Sequence, residues 1–121
     1  MSYVETRTKI PIDPKGGYVT VAVDTTIPQR ANFGLALESE DSSQTSVTSN
    51  GQFGHPYMLG APAALKGKFL VCSGRVVDPN HGKFEVHCDF FQGGKRIDVT
   101  SSVEDQATEN YEDFGIFCEL Q

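Results

Sequence analysis

His87-Cys88-Asp89 is the part of this chain with the clearest chemical potential, because residues two apart on a strand share a face and a His-x-Asp pair is the spacing of jelly-roll iron sites. Such a site needs a second histidine further along. His87 is the last histidine, so His55 or His81 would have to serve in reverse order. Asp98 is the further oxygen ligand if the strand carrying it pairs with that of Asp89, and a small metal-dependent enzyme at His87 and Asp89 is one reading. The simpler one is that these residues occupy the less buried face of a strand.

A second oxygen-rich set is Glu104, Asp105, Glu109, Glu112 and Asp113. Carboxylates on a loop can hold calcium, as in calcium-assisted carbohydrate-binding sandwiches, but this spacing matches no EF-hand. No cofactor is otherwise expected. Nucleophilic catalysis lacks support: no serine or cysteine sits in a strand-to-helix elbow, and the doublets Gly16-Gly17 and Gly93-Gly94 lack the strand-to-helix setting of phosphate loops. The chain reads as non-enzymatic.

Positioning comes from short strands. Lys68 to Val103 holds three alternating runs separated by Asp78-Pro79-Asn80-His81-Gly82 and by Gly93-Gly94. A two-residue glycine turn pairs Gln92 with Lys95, Phe90 with Ile97, Cys88 with Val99 and Asp89 with Asp98. The preceding turn pairs Cys72 with Cys88, Leu70 with Phe90 and Arg75 with Glu85. The expectation is a three-stranded antiparallel meander with one apolar face, since a slip of one residue would expose Leu70, Cys72 and Val76. On its other face Phe69, Phe91 and Arg96 fall in one row with Val71 nearby. An aromatic–arginine row suits contact with a protein partner or a second subunit.

Elsewhere, Val4 to Ile12 and Tyr18 to Asp24 read as strands paired across a turn at Pro14 to Gly17, with Ile12 opposite Val19 and Ile10 opposite Val21. Phe33, Leu35 and Leu37 give another strand. The Ser/Thr-rich stretch from Ser39 to Gly51 is a long loop or an exposed edge strand. Gln52 to Gly67, punctuated by Pro56 and Pro62, carries His55, Tyr57 and Met58 as ligand-loop candidates, and Gln52 to Leu65 within it is a loop able to bind a partner itself or to cover the second meander face. Phe114 to Leu120 closes the chain. Seven or eight short strands, twelve glycines and six prolines in 121 residues specify one all-β domain over residues 1–121, an antiparallel sandwich of jelly-roll or immunoglobulin-like type with little or no helix.

Composition narrows the partners. The net charge is −6, and the stretch from Glu104 to Gln121 holds six acids and no base, equal to that whole charge. Without a basic stripe there is no footprint for nucleic acid or an anionic membrane surface. No apolar run reaches membrane-spanning length, and the first residues lack a secretory apolar segment, so a cytoplasmic protein is the expectation, although a mature secreted chain would read the same. Three cysteines are an odd number, which favours buried thiols over a disulfide framework, with a Cys72–Cys88 bond as the alternative.

Overall fold

A computed structural model describes residues 3–77, 82–106 and 110–121. The turn read at Asp78 to His81 and the candidate ligand Glu109 lie outside the described residues. The chain is a two-layer β-sandwich. Its strands are β1 (Tyr3–Ile10), β2 (Val19–Thr25), β3 (Ala31–Glu38), β4 (Gln44–Thr48), β5 (Tyr57–Gly60), β6 (Phe69–Val77), β7 (Lys83–Gln92), β8 (Lys95–Gln106) and β9 (Tyr111–Leu120). A single-turn helix, α1 (Pro62–Leu65), buries Leu65. One sheet has the order β1-β9-β6-β3-β4 and the other β5-β2-β7-β8.

Alternation places the core. Ile10, Val19, Val21, Val23, Phe33, Leu35, Leu70, Cys72, Val76, Val86, Cys88, Phe90, Ile116, Cys118 and Leu120 all point between the sheets and are buried. Every inward position expected for the strands around Leu70, Cys88 and Ile116 is inward. The neighbours are not those expected.

The three-stranded meander is corrected to a hairpin. β7 and β8 pair, but β6 lies in the other sheet between β9 and β3. Cys72 therefore pairs with Ile116 and Leu35, and it meets Cys88 across the core instead of across a ladder. Arg75 stands opposite Asp113 and Asn32, not Glu85. The physical reason is that an alternating apolar face is satisfied equally by pairing beside β7 or by packing over it. Gly74 records the true neighbour: a Cβ there would lie 1.9 Å from the Asn32 carbonyl oxygen, so β3 approaches closer than any side chain allows.

The expected β1–β2 hairpin is corrected too. β1 runs parallel to β9, with Val4 opposite Phe114 and Ile10 opposite Leu120, while β2 lies between β5 and β7. Ile12 N–H extends that contact by donating to the Gln121 carbonyl at 2.8 Å. The sandwich is closed on this side where β1 meets β8, Ser101 Oγ donating to Thr8 Oγ1 at 2.9 Å.

In the β7–β8 hairpin, Gly93 and Gly94 have φ of 60° and 83°, the left-handed pair that a tight hairpin turn demands. Gln92–Lys95 and Phe91–Arg96 pair as expected. The ladder then shifts between Asp89 and Phe91, so Asp89 faces Thr100, Cys88 faces Ser101 and Val86 faces Val103. The shift is two residues, which preserves the inward parity of β8. It also separates Asp89 from Asp98, two carboxylates that would repel if directly opposite.

The Ser/Thr-rich stretch forms β4, an edge strand paired with β3. The ninth strand, β5, is the one the sequence pattern hid, four residues between Pro56 and Pro62.

Candidate functional site

The outward positions of the four-stranded sheet assemble a row from three separate segments. Thr20 of β2 pairs with Met58 on one side and Phe91 on the other, and Phe91 pairs with Arg96, giving Met58–Thr20–Phe91–Arg96. Tyr18 stands just before β2, with its carbonyl accepting from Gly93 N–H at 3.1 Å. Tyr18 is 63% and Met58 56% exposed, large values for apolar side chains, and Phe91 is half-buried.

Phe69 and Val71 do not belong to this row, which corrects the single contact face read from the meander. With β6 in the five-stranded sheet, they point away from the opposite side of the sandwich. There Val71 lies between Ala36 and Phe117, and Phe69 lies between Glu38 and Glu119. Arg7 lies 4.6 Å over the Phe117 ring. Arg96 is not stacked on Phe91. Its Nη2 donates to Asp89 Oδ1 at 3.0 Å and to Thr100 Oγ1 at 2.6 Å, and Thr100 Oγ1 donates to the same Asp89 oxygen at 2.9 Å. Burial acts to raise the Asp89 carboxyl, but the hydrogen bonds from Arg96 and Thr100 and the neighbouring His87 outweigh it and hold the group below its ordinary value. Arg96 is thereby fixed beside Phe91.

The same network bears on the metal candidates. His87 Nε2 lies 3.4 Å from Asp89 Oδ2, and its Nδ1 lies 3.2 Å from Glu85 Oε1. Asp98 is in the shifted stretch and exposed, away from the ladder position opposite Asp89. The acidic segment is dispersed. Glu104 and Asp105 are exposed, Glu112 is fully buried, and Asp113 accepts from Arg75 Nε and Nη2 at 2.7 and 3.3 Å. The Arg75 guanidinium also lies 4.1 Å over Tyr111, and its bond to Asp113 raises its pKa further. Among the described residues, no three histidine, cysteine or acidic side chains gather as a metal-holding group. An open depression of about 500 Å³ lies between Thr26, Lys83, Glu85, Glu104 and Asp105 and is mainly acidic.

Of the loop candidates, only Met58 belongs to the exposed row. Tyr57 Oη accepts from Gln52 N–H at 2.8 Å. His55 packs on Tyr57 with ring centroids 4.8 Å apart, while Tyr57 and Phe53 both pack on Phe33, at 6.4 and 4.8 Å. This loop closes one end of the core; it does not cover an outer face. The cysteines are three free, buried thiols. The hydrogen bond with Cys118 lowers the Cys88 thiol, but the hydrogen bond with Cys72, burial and the nearby Asp89 raise it well above the ordinary value, and the hydrogen bond with Cys88 together with burial raises Cys118. Thiols held neutral in an apolar core are inert as nucleophiles.

Two outward-facing aromatics escaped the sequence reading although their signal was present. Tyr18 is out of phase with the inward Val19, Val21 and Val23, and Phe117 is out of phase with Phe114, Ile116, Cys118 and Leu120. An aromatic on the outward parity is the mark of both. No family model, curated protein or solved structure matches the chain.

Proposed function

We propose that this protein is a non-enzymatic binding module whose contact surface is the outer row of the four-stranded sheet, Tyr18, Met58, Phe91 and Arg96, and that its ligand is another protein. The observation that carries this reading is the exposure of Tyr18 and Met58 on the β2 and β5 side of Phe91, with Arg96 on its other side held in place by Asp89 and Thr100. Tyr, Met, Phe and Arg are the side chains that protein interfaces favour. They also supply large contact area, and an arginine already ordered by its own sheet loses less freedom on binding. The buried Cys88 and Cys118 thiols, both raised in pKa, support a role without nucleophilic catalysis.

The test is quantitative affinity capture with wild type, Met58→Asp, Phe91→Asp and Phe69→Asp. A genuine partner is lost with the first two variants and kept with the third, whose side chain lies on the opposite sheet. Equal recovery by all four proteins refutes the assignment.

A further inference from the structure

The ends of a sheet are where backbone hydrogen-bonding groups are left without a neighbour, and proteins normally guard them with charge, proline or short length. Three of the four ends here are guarded. β1 carries Glu5, Arg7 and Lys9 and turns against β8 at Thr8. β8 carries Lys95, Arg96, Asp98, Glu104 and Asp105. β5 is four residues long and follows Pro56. β4 differs: Gln44-Thr45-Ser46-Val47-Thr48 contains no charge and no proline, is rich in β-branched residues, and exposes Gln44, Thr45 and Ser46.

Its outer backbone groups can be assigned from the ladder. Ser39 N–H donates to the Ser43 carbonyl at 2.9 Å. Ladder bonds in an antiparallel pair recur at every second residue, so Leu37 and Thr45 are the next pair to exchange them. Gln44 and Ser46, opposite Glu38 and Ala36, therefore turn their N–H and C=O groups away from β3. The strand is held ready for a neighbour by its own turn, in which Asp41 Oδ1 accepts from Ser43 N–H and Ser43 Oγ at 3.1 and 2.6 Å.

We propose that β4 is a sheet-extension site whose occupant is β4 of a second copy, paired antiparallel about a two-fold axis at Thr45. In that register Gln44 of each copy faces Ser46 of the other, and the outward groups of both residues close four backbone hydrogen bonds. Thr45 meets Thr45 at the axis, a favourable cross-strand pair. Charge selects this antiparallel arrangement. It places Glu40 and Asp41 of one copy beside the uncharged Ser49 and Asn50 of the other, whereas a parallel pairing would set acid against acid. The bulge at Val47, between the Leu35–Thr48 and Ala36–Ser46 pairs, ends the shared ladder after Ser46. The site is thus short and self-complementary, suited to concentration-dependent dimerisation.

Sedimentation equilibrium and amide hydrogen exchange over a micromolar to near-millimolar series test this. The expected result is a dimer at the upper end, with Gln44 and Ser46 amides gaining protection as concentration rises. Thr45→Lys sets two cations together at the axis and raises the dissociation constant at least tenfold, and Ser46→Lys, with its side chain on the other face of the strand, does the same. Phe91→Asp leaves the dimer unchanged, which separates this site from the partner-binding row. A wild-type monomer throughout, a dimer indifferent to both lysine variants, or an open-ended polymer overturns the proposal.

Discussion

Gly51→Ala measures how tightly the loop that delivers Met58 is locked to the core. Gly51 N–H donates to the Phe33 carbonyl at 2.8 Å, which holds the two backbones together. A Cβ at position 51 would lie 2.1, 2.3 and 2.6 Å from Cε2, Cζ and Cδ2 of the Phe33 ring. An ordinary contact needs roughly 3.5 Å or more, so the ring has to move by more than 1 Å. It has little room, being only 2% exposed and packed against Phe53 and Tyr57. Overpacking a core at this scale costs about 1–3 kcal/mol. For a chain of this length each kcal/mol lowers Tm by about 4 °C, so the expected fall is roughly 4–12 °C.

Thermal and urea denaturation of Gly51→Ala, Phe33→Leu and the double variant form a cycle. Phe33→Leu removes Cε2 and Cζ, the two ring atoms nearest the new methyl, so the alanine should cost much less in the Phe33→Leu background than in wild type. Gly54→Ala is the control. Gly54, unlike Gly51, has φ of 78° and has nothing within 4 Å of a Cβ, so it loses only the left-handed backbone preference, about 1–2 kcal/mol. If Gly51→Ala is within 0.5 kcal/mol of wild type, or if its cost is the same with Leu at position 33, the steric argument fails.

Two further outcomes follow from the charged network and the thiols. Asp89 is held below its ordinary pKa of 3.8 by Arg96 and Thr100, so its contribution is present at neutral pH and is lost as pH falls through its folded value. Asp89→Asn should cost about 1 kcal/mol at pH 7, with the gap from wild type closing below about pH 4; a gap of the same size at pH 3 and pH 7 in urea melts would contradict this. For the thiols, native protein should not react with an aromatic disulfide reagent, while denatured, unreduced protein should titrate three. A single reactive thiol in denaturant would reveal a Cys72–Cys88 bond.

Which face each strand buries was legible because alternation answers that question alone. Leu70, Cys72 and Val76, or Ile116, Cys118 and Leu120, can only point inward. Which strand lies beside which was not legible from the same residues, because an apolar face is satisfied by any apolar face of similar width. β6 could therefore be placed beside β7 when it packs over it. The discriminating information lay in residues that contradict the pattern. Gly74 interrupts an apolar strand where only hydrogen fits against Asn32, and Asp89 and Asp98 could not stay opposite one another once β8 had a way to shift.

The candidate row shows the same division. Phe91 and Arg96 were found from the sequence because two glycines at positive φ fix their pairing within four residues of the turn. Met58 was found only as a loop residue, because its place beside Thr20 depends on a four-residue strand pairing with one about forty positions earlier. Local turn geometry determines a register cheaply, whereas a distant pairing is selected by the whole fold. Of a row built across β5, β2, β7 and β8, only the β7–β8 hairpin is therefore set locally, since Thr20 meets Met58 and Phe91 from distant parts of the chain. Disrupting the Gly51–Phe33 anchor should accordingly move Met58 while leaving Phe91 and Arg96 in register.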